Sequence, residues 1–83
     1  MFSIPHELRE EFPHEAEFIE RLVRTNHEFK RLATQYGEVN RTIYRIESDE
    51  EPTTDEVLER LKKQRLKLKD EIAAILTKYE RRM

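Results

Sequence analysis

The chain has 83 residues, of which 16 are Lys or Arg and 18 are Asp or Glu, so 41% is charged and only 36% is hydrophobic. Because globular domains carry about 25% charged residues on average, this composition leaves little apolar material for a thick core and argues against an enzyme. The absence of cysteine excludes disulfides and thiolate metal sites, and a single glycine disfavours a many-stranded sheet. We therefore expect one small, all-α domain of a few long helices.

The longest apolar run is only a few residues, as at 72–76. Such a run cannot cross a bilayer, so we expect a cytoplasmic protein with no membrane segment. The sequence divides this domain into four parts. They are an N-terminal arm at 1–12, helix 1 at 13–46, an acidic loop at 47–53 and helix 2 at 54–81.

The boundary after the arm is set by Pro13, which suits the first turn of a helix and disfavours helical geometry at Phe12. Beyond it, nine residues follow one another at alternating spacings of four and three: Phe18, Leu22, Thr25, Phe29, Leu32, Tyr36, Val39, Ile43 and Ile46. This heptad seam is typical of a helix and is not produced by a strand. It predicts that helix 1 is continuous, with Gly37 on its outer face.

The acidic loop contains Pro52 and no large apolar residue, so it separates two helices. Thr53 and Glu56 fit a capping box, which places the start of helix 2 near residue 54. The seam of helix 2 repeats the spacing of helix 1 at Leu58, Leu61, Leu68, Ile72, Ile75 and Tyr79. Arg65 stands at a seam position where an apolar residue is expected.

A short loop between two such helices predicts an antiparallel two-helix hairpin of coiled-coil type. If Ile46 lies near Leu58, the numbers of facing residues add up to about 104. Helix 1 is then too long for its partner, and Phe18 and Leu22 extend past the end of helix 2. Either the arm, through Phe2, Ile4, Leu8 and Phe12, or a second subunit covers them.

A two-helix hairpin is a marginal monomer, because its seam contributes less free energy than ordering the backbone costs. Leu66 and Leu76 lie beside the seam of helix 2 and widen its apolar face. The sequence therefore predicts a homodimeric four-helix bundle, with Phe18, Leu22, Leu66 and Leu76 as partner-binding residues. The alternative is that Leu66 is an isolated surface leucine, which is common in proteins.

The chain shows no pattern typical of catalysis. Its three histidines, His6, His14 and His27, form no metal-ligand spacing, and there is no phosphate-binding glycine loop and no nucleophile motif. We therefore predict no metal and no cofactor. The function favoured by the sequence is a non-catalytic protein–protein interaction module.

Nucleic-acid binding through a basic run in helix 2 is the alternative function. The run consists of Lys62, Lys63, Arg65, Lys67 and Lys69. Because the helical repeat divides these side chains between two faces and no aromatic residue accompanies them, we favour flanking charges paired with Glu28 and Glu38. Arg65 either pairs with Glu38 and fixes the hairpin register, or binds an acidic partner.

Residues 61–72, reading LKKQRLKLKDEI, resemble the signature of the YdcH-like family of small, uncharacterised bacterial proteins. The resemblance extends upstream to Glu11-Phe12-Pro13 and to the seam of helix 1 around Tyr36. It implies a helical hairpin in a bacterial cytoplasmic protein, without an established activity. Many members have a histidine near Tyr36 and Gly37, which is absent here, so no role for it is carried over.

Overall fold

A computed structural model of the chain describes residues 6–80. This part is all-α and has no strand, as the sequence predicts. Its helices are α1 at His6–Glu11, α2 at Ala16–Thr25, α3 at His27–Glu47 and α4 at Asp55–Glu80, with a 3-10 turn at Pro13–Glu15. The predicted contacts of Phe2 and Ile4 lie outside the described residues.

The two long helices, α3 and α4, pack against each other as a hairpin. Two hydrogen bonds across this hairpin define its register: Asn26 Nδ2 donates to Tyr79 Oη at 3.1 Å, and Arg65 donates to Asn40 Oδ1 at 3.3 Å. In both pairs the residue numbers add up to 105. The predicted register is therefore confirmed to within one residue.

One continuous core joins all four helices. It consists of Leu8, Ile19, Leu22, Val23, Phe29, Leu32, Ala33, Tyr36, Val39, Ile43, Leu68, Ile72 and Leu76. Seven of these are seam residues of the two long helices, and four lie between residues 8 and 23. Burial of their side chains supplies the main favourable free energy of folding.

The prediction of one helix over 13–46 is wrong, because the helix is interrupted at Asn26. This residue is extended, with φ −122° and ψ 108°, and its side-chain oxygen accepts a hydrogen bond from the backbone N–H of Phe29 at 3.0 Å. Asn26 thus caps α3, which is a favoured role for asparagine. The heptad spacing continues through the cap unchanged, so the spacing alone gives no sign of the break.

Before this break, α1 and α2 fold back onto the hairpin; we refer to residues 6–25 as the N-terminal hook. Leu8 is fully buried in the core, and α1 contacts α3. Arg9 binds Glu20 at 3.1 Å and thereby links α1 to α2. An ion pair between Glu11 and Lys69 links α1 to α4. Of the two predicted covers for the end of the hairpin, the chain's own arm is the one observed.

Gly37 is buried, so its predicted position on the outer face is wrong. Ala33, one turn earlier, is also buried. Because α1 contacts α3, a side of α3 that was expected to face solvent becomes an internal surface. Small side chains on that side allow helices to approach closely.

The helix ends differ slightly from the predicted ones. Thr54, rather than Thr53, caps α4: its hydroxyl accepts a hydrogen bond from the N–H of Val57 at 3.2 Å. Accordingly α4 begins at Asp55, one residue later than predicted, and α3 ends at Glu47. In the loop, Asp49 has a φ of 60°, a left-handed conformation that aspartate tolerates better than most residues.

Candidate interaction surfaces

The four predicted partner-binding residues have very different surroundings. Leu22 and Leu76 are only 4% and 3% exposed and belong to the core of the single chain. Phe18 is half-buried and meets Tyr79 edge to face, with ring centroids 6.2 Å apart. Leu66 is 58% exposed. Because the hook folds back, Leu22 and Leu76 have no surface to offer a partner in this conformation, and this corrects their predicted placement.

The basic run is mostly engaged within the chain. Lys62 Nζ lies 3.2 Å from Glu47 Oε2, and Lys69 pairs with Glu11. Arg65 donates to Asn40. These three cations occupy one flank of α4, as the helical repeat predicts, but their partners are not the predicted Glu28 and Glu38.

Asn40 is the residue that sequence reasoning missed at this flank. It is only 8% exposed, and its Oδ1 accepts the hydrogen bond from Arg65 across the hairpin. Its Nδ2 is buried and has no hydrogen-bond partner, which is a destabilising arrangement. The signal available in the sequence was the predicted register, because Asn40 and Arg65 face each other in it. Arg65 thus bonds to Asn40 and not to Glu38, the predicted partner.

The ion pair between Lys69 and Glu11 changes the pKa of the lysine. The hydrogen bond to the Glu11 carboxylate, opposed by a smaller desolvation effect, raises the pKa of Lys69 above its usual value of 10.5. The carboxylate therefore stabilises the protonated amine. This pair connects the six-residue helix α1 to the hairpin, so the basic run positions the hook.

The remaining part of the basic run lies on the outer face of α4. Lys63, Leu66, Lys67, Asp70, Glu71 and Ala74 line a surface depression there. We refer to these six residues as the α4 outer face. Within the part of the chain that the structure describes, Lys63 and Lys67 have no ion-pair partner. The face therefore has a basic half and an acidic half, with an exposed leucine between the two lysines.

A second depression lies beside the hairpin loop, where Tyr44 is 69% exposed. Its other lining residues are Arg41, Arg45 and Glu50. Arg45 Nε is 3.7 Å from a carboxylate oxygen of Glu51, so one of the two arginines is turned towards the acidic loop. Tyr44 lies outside the heptad seam, and only its aromatic character marked it in the sequence.

Over residues 6–80, no three His, Asp or Glu side chains come together in a group that could hold a metal ion. None of the helices in the described ranges combines the length and the hydrophobicity needed to cross a membrane.

Comparison with known proteins gives one match. Residues 29–76 match the model of DUF465, a family described as a protein of unknown function. The matched residues cover more than half of the chain and correspond to α3, the loop and most of α4. The resemblance at the basic run is thereby confirmed at the level of the family, whereas the likeness around Glu11 lies outside the matched residues. No curated protein and no solved structure matches the chain.

Proposed function

The chain belongs to the DUF465 family, whose function is unknown, and we propose that it is a non-catalytic, cytoplasmic protein–protein interaction module. Its first partner is a second copy of the same chain. The observation that carries this proposal is the α4 outer face, where Leu66 is 58% exposed beside oppositely charged pairs. The leucine lies in a depression rimmed by charged side chains, and interfaces likewise combine an apolar contact with a polar rim.

Charge favours antiparallel contact between two copies of α4. In that orientation, with a two-fold axis near Leu68, Lys67 of each copy faces Asp70 of the other. In a parallel orientation, like charges would meet. A two-fold contact of this kind is isologous, since the same six residues serve both subunits. The result is a dimer of hairpins, which is the predicted four-helix arrangement.

The strength of such a dimer is limited by its size. One exposed leucine and one alanine per copy supply only a small apolar area, whereas a stable interface buries roughly 800 Å² on each partner. We therefore expect a weak, concentration-dependent dimer in which charge sets the orientation. Additional protein partners would use the same face.

Two charge-reversed variants test this interface. The first carries Lys63→Glu and Lys67→Glu, and the second carries Asp70→Lys and Glu71→Lys. Each alone should show a smaller dimer fraction than the unmodified chain in sedimentation equilibrium, because like charges meet across the two-fold axis. An equimolar mixture should dimerise, because opposite charges meet again. This recovery cannot be explained by damage to the fold.

The matched control reverses two exposed charges on α3, with Arg31→Glu and Glu38→Lys. It should dimerise as the unmodified chain does. If the mixture of the two α4 variants is no more dimeric than either variant alone, while both retain their helical circular dichroism, the proposed interface is wrong.

Nucleic-acid binding is the second candidate, and the unpaired Lys63 and Lys67 are the observation in its favour. It is the weaker candidate because the other three cations of the run already bind groups of the same chain. Fluorescence anisotropy with labelled RNA and DNA, measured at low and high salt, tests it. Salt-sensitive binding that disappears in Lys63→Glu/Lys67→Glu would favour this candidate.

A further inference from the structure

The break at Asn26 interrupts very little of the helical hydrogen bonding. Its own N–H donates to the carbonyl of Leu22 at 2.7 Å, and its carbonyl accepts from the N–H of Lys30 at 3.0 Å. Both are ordinary α-helical bonds. A straight helix would only add the bonds from the N–H groups of 27–29 to the carbonyls of 23–25. One of those three N–H groups, that of Phe29, is satisfied by the Asn26 side chain instead.

The hydrophobic pattern also fits a straight helix. Phe18, Leu22, Thr25 and Phe29 keep the alternating spacing of four and three across the break. A bend that was required in every state would be expected to shift this phase, because the two segments would face the core independently. The same segment is thus compatible with two conformations, one bent at Asn26 and one continuous from α2 into α3.

The hook is held on the hairpin by side chains that enter the common core and by an ion pair to α4. Leu8 enters the common core, and Glu11 reaches Lys69 of α4. Neither α2 nor the 3-10 turn before it has a side-chain cap at its start. If the helix straightens at Asn26, the hook leaves its own hairpin, and the hairpin of a second copy offers the same binding site.

We propose that the chain forms a dimer by exchanging its N-terminal hooks, with Asn26 as the hinge. In the exchanged dimer, the hook of each copy occupies the other's hairpin, and Glu11 pairs with Lys69 of the partner subunit. In this dimer the contacts of the hook are made with the partner subunit, and each copy exchanges the Asn26 cap for the three helical bonds that the bend forfeits. Exchange of an identical element is a low-cost route to dimers, because it needs no new interface. This interface differs from the α4 outer face and goes beyond the function proposed above.

The variant His27→Pro should lock the closed monomer. In the bent form His27 is the first residue of α3, a position that favours proline, and proline restricts the preceding residue to the extended conformation that Asn26 already has. In a straight helix the same proline would clash with the preceding turn and remove a hydrogen bond. The substitution therefore destabilises the straight conformation and leaves the bent one unstrained.

The variant Asn26→Ala should favour the exchanged dimer. Alanine removes the cap of α3 and the bond to Tyr79, and it is the best helix former. Asn26→Asp is the matched control, because aspartate keeps a capping oxygen. We expect sedimentation equilibrium on the full chain to show a several-fold larger dimer fraction for Asn26→Ala than for Asn26→Asp. The double variant Asn26→Ala/His27→Pro should lose this increase.

Cross-linking identifies the copy that supplies each hook. A carbodiimide joins the Glu11 carboxylate to the Lys69 amine, and equal amounts of nitrogen-15-labelled and unlabelled chain are allowed to equilibrate before the reaction. Exchange predicts cross-linked peptides that combine one labelled and one unlabelled half. A dimer through the α4 outer face predicts Glu11–Lys69 cross-links within one chain, and therefore of a single isotopic composition. The experiment thus tests the two interfaces separately.

Two results would overturn the exchange. The first is a folded Asn26→Ala chain that is no more dimeric than Asn26→Asp. The second is a dimer whose Glu11–Lys69 cross-links never mix isotopes. The variant Lys63→Glu/Lys67→Glu, which disrupts only the α4 outer face, should leave the mixed cross-links of Asn26→Ala unchanged.

Discussion

The hairpin and the N-terminal hook differ in the length of their helices and in how they are held together. The hairpin joins helices of 21 and 26 residues along a regular seam, and residues 29–76 of it match a family model. The hook consists of helices of six and ten residues, without side-chain caps at the starts of α2 and of its 3-10 turn. It is attached through four buried side chains, those of Leu8, Ile19, Leu22 and Val23, and through the Glu11–Lys69 pair.

This difference shows where stability and mobility are expected in one small chain. Many contacts of similar strength make the hairpin cooperative. A substitution in its seam therefore lowers the free energy of unfolding of the whole hairpin. Helices as short as those of the hook are not stable alone, and they open at a lower free energy than the long helices on which they pack. The hook should therefore detach while the hairpin stays folded.

The largest expected effect comes from the seam. Leu68→Ala removes a buried side chain from the centre of the hairpin and should lower the free energy of unfolding by about 2–5 kcal/mol. Leu66→Ala, two residues away, is the matched control and should change it by less than about 0.5 kcal/mol, because this leucine is exposed. Urea unfolding followed by circular dichroism, at a concentration where the chain is monomeric, measures both. Equal losses would contradict the assignment of the core.

A smaller and local effect is expected from Leu8→Ala. The variant should lower the free energy of unfolding by about 2 kcal/mol, the lower end of the range for a buried leucine, because the hook can detach without global unfolding. Hydrogen exchange should accelerate at the amides of 8–25 and stay unchanged at the centres of α3 and α4. Uniform acceleration along the chain would show that hook and hairpin unfold as one unit.

Loss of the hydrogen bond between Arg65 and Asn40 should lower the stability of the hairpin by an intermediate to small amount. Arg65→Ala leaves Asn40 buried without its bond and should cost about 1–3 kcal/mol. Asn40→Leu/Arg65→Leu should recover most of this loss, because replacing both partners removes the unsatisfied groups. Thermal unfolding compares the two variants. A double variant that is less stable than Arg65→Ala would mean that the pair itself stabilises the hairpin.

The smallest effect is the pH dependence of hook attachment. Because the folded pKa of Lys69 is raised, its contribution is fully present below the usual value of 10.5 and is lost as the pH rises through the raised value. Methyl resonances of Leu8 should therefore shift towards those of a detached hook only at alkaline pH. In Glu11→Gln this step should disappear. A step at neutral pH would point to another group.

The hairpin could be predicted from the sequence because its determinants are repetitive. Alternating spacings set the faces of both helices, and the loop length set their antiparallel order and a register correct to within one residue. The helix ends were predicted to within a few residues from Pro52 and the threonines at 53 and 54. Each of these signals is local or periodic and can be read without knowing the tertiary structure.

The arm was predicted as one of two possible covers for the hairpin, but the bend that brings it there could not be predicted, because its determinants are single tertiary contacts. Asn26 preserves the heptad phase, so only its hydrogen bonds to Phe29 and Tyr79 reveal the bend. The burial of Gly37 follows from the bend, because a straight helix 1 would leave this glycine facing solvent. Arg65 illustrates the same limit: its seam position was evident, but its partner was not.

Tyr79 gives the two ends of the chain a thermodynamic linkage. It lies in the last turns of α4, accepts a hydrogen bond from the hinge residue Asn26, and packs its ring against Phe18 of the hook. The same Tyr79 contacts are lost when that turn frays and when the hook is released. Each event therefore makes the other more favourable by the same free energy. A ligand or fusion that orders the end of α4 would tighten the hook by the same factor as the docked hook orders α4.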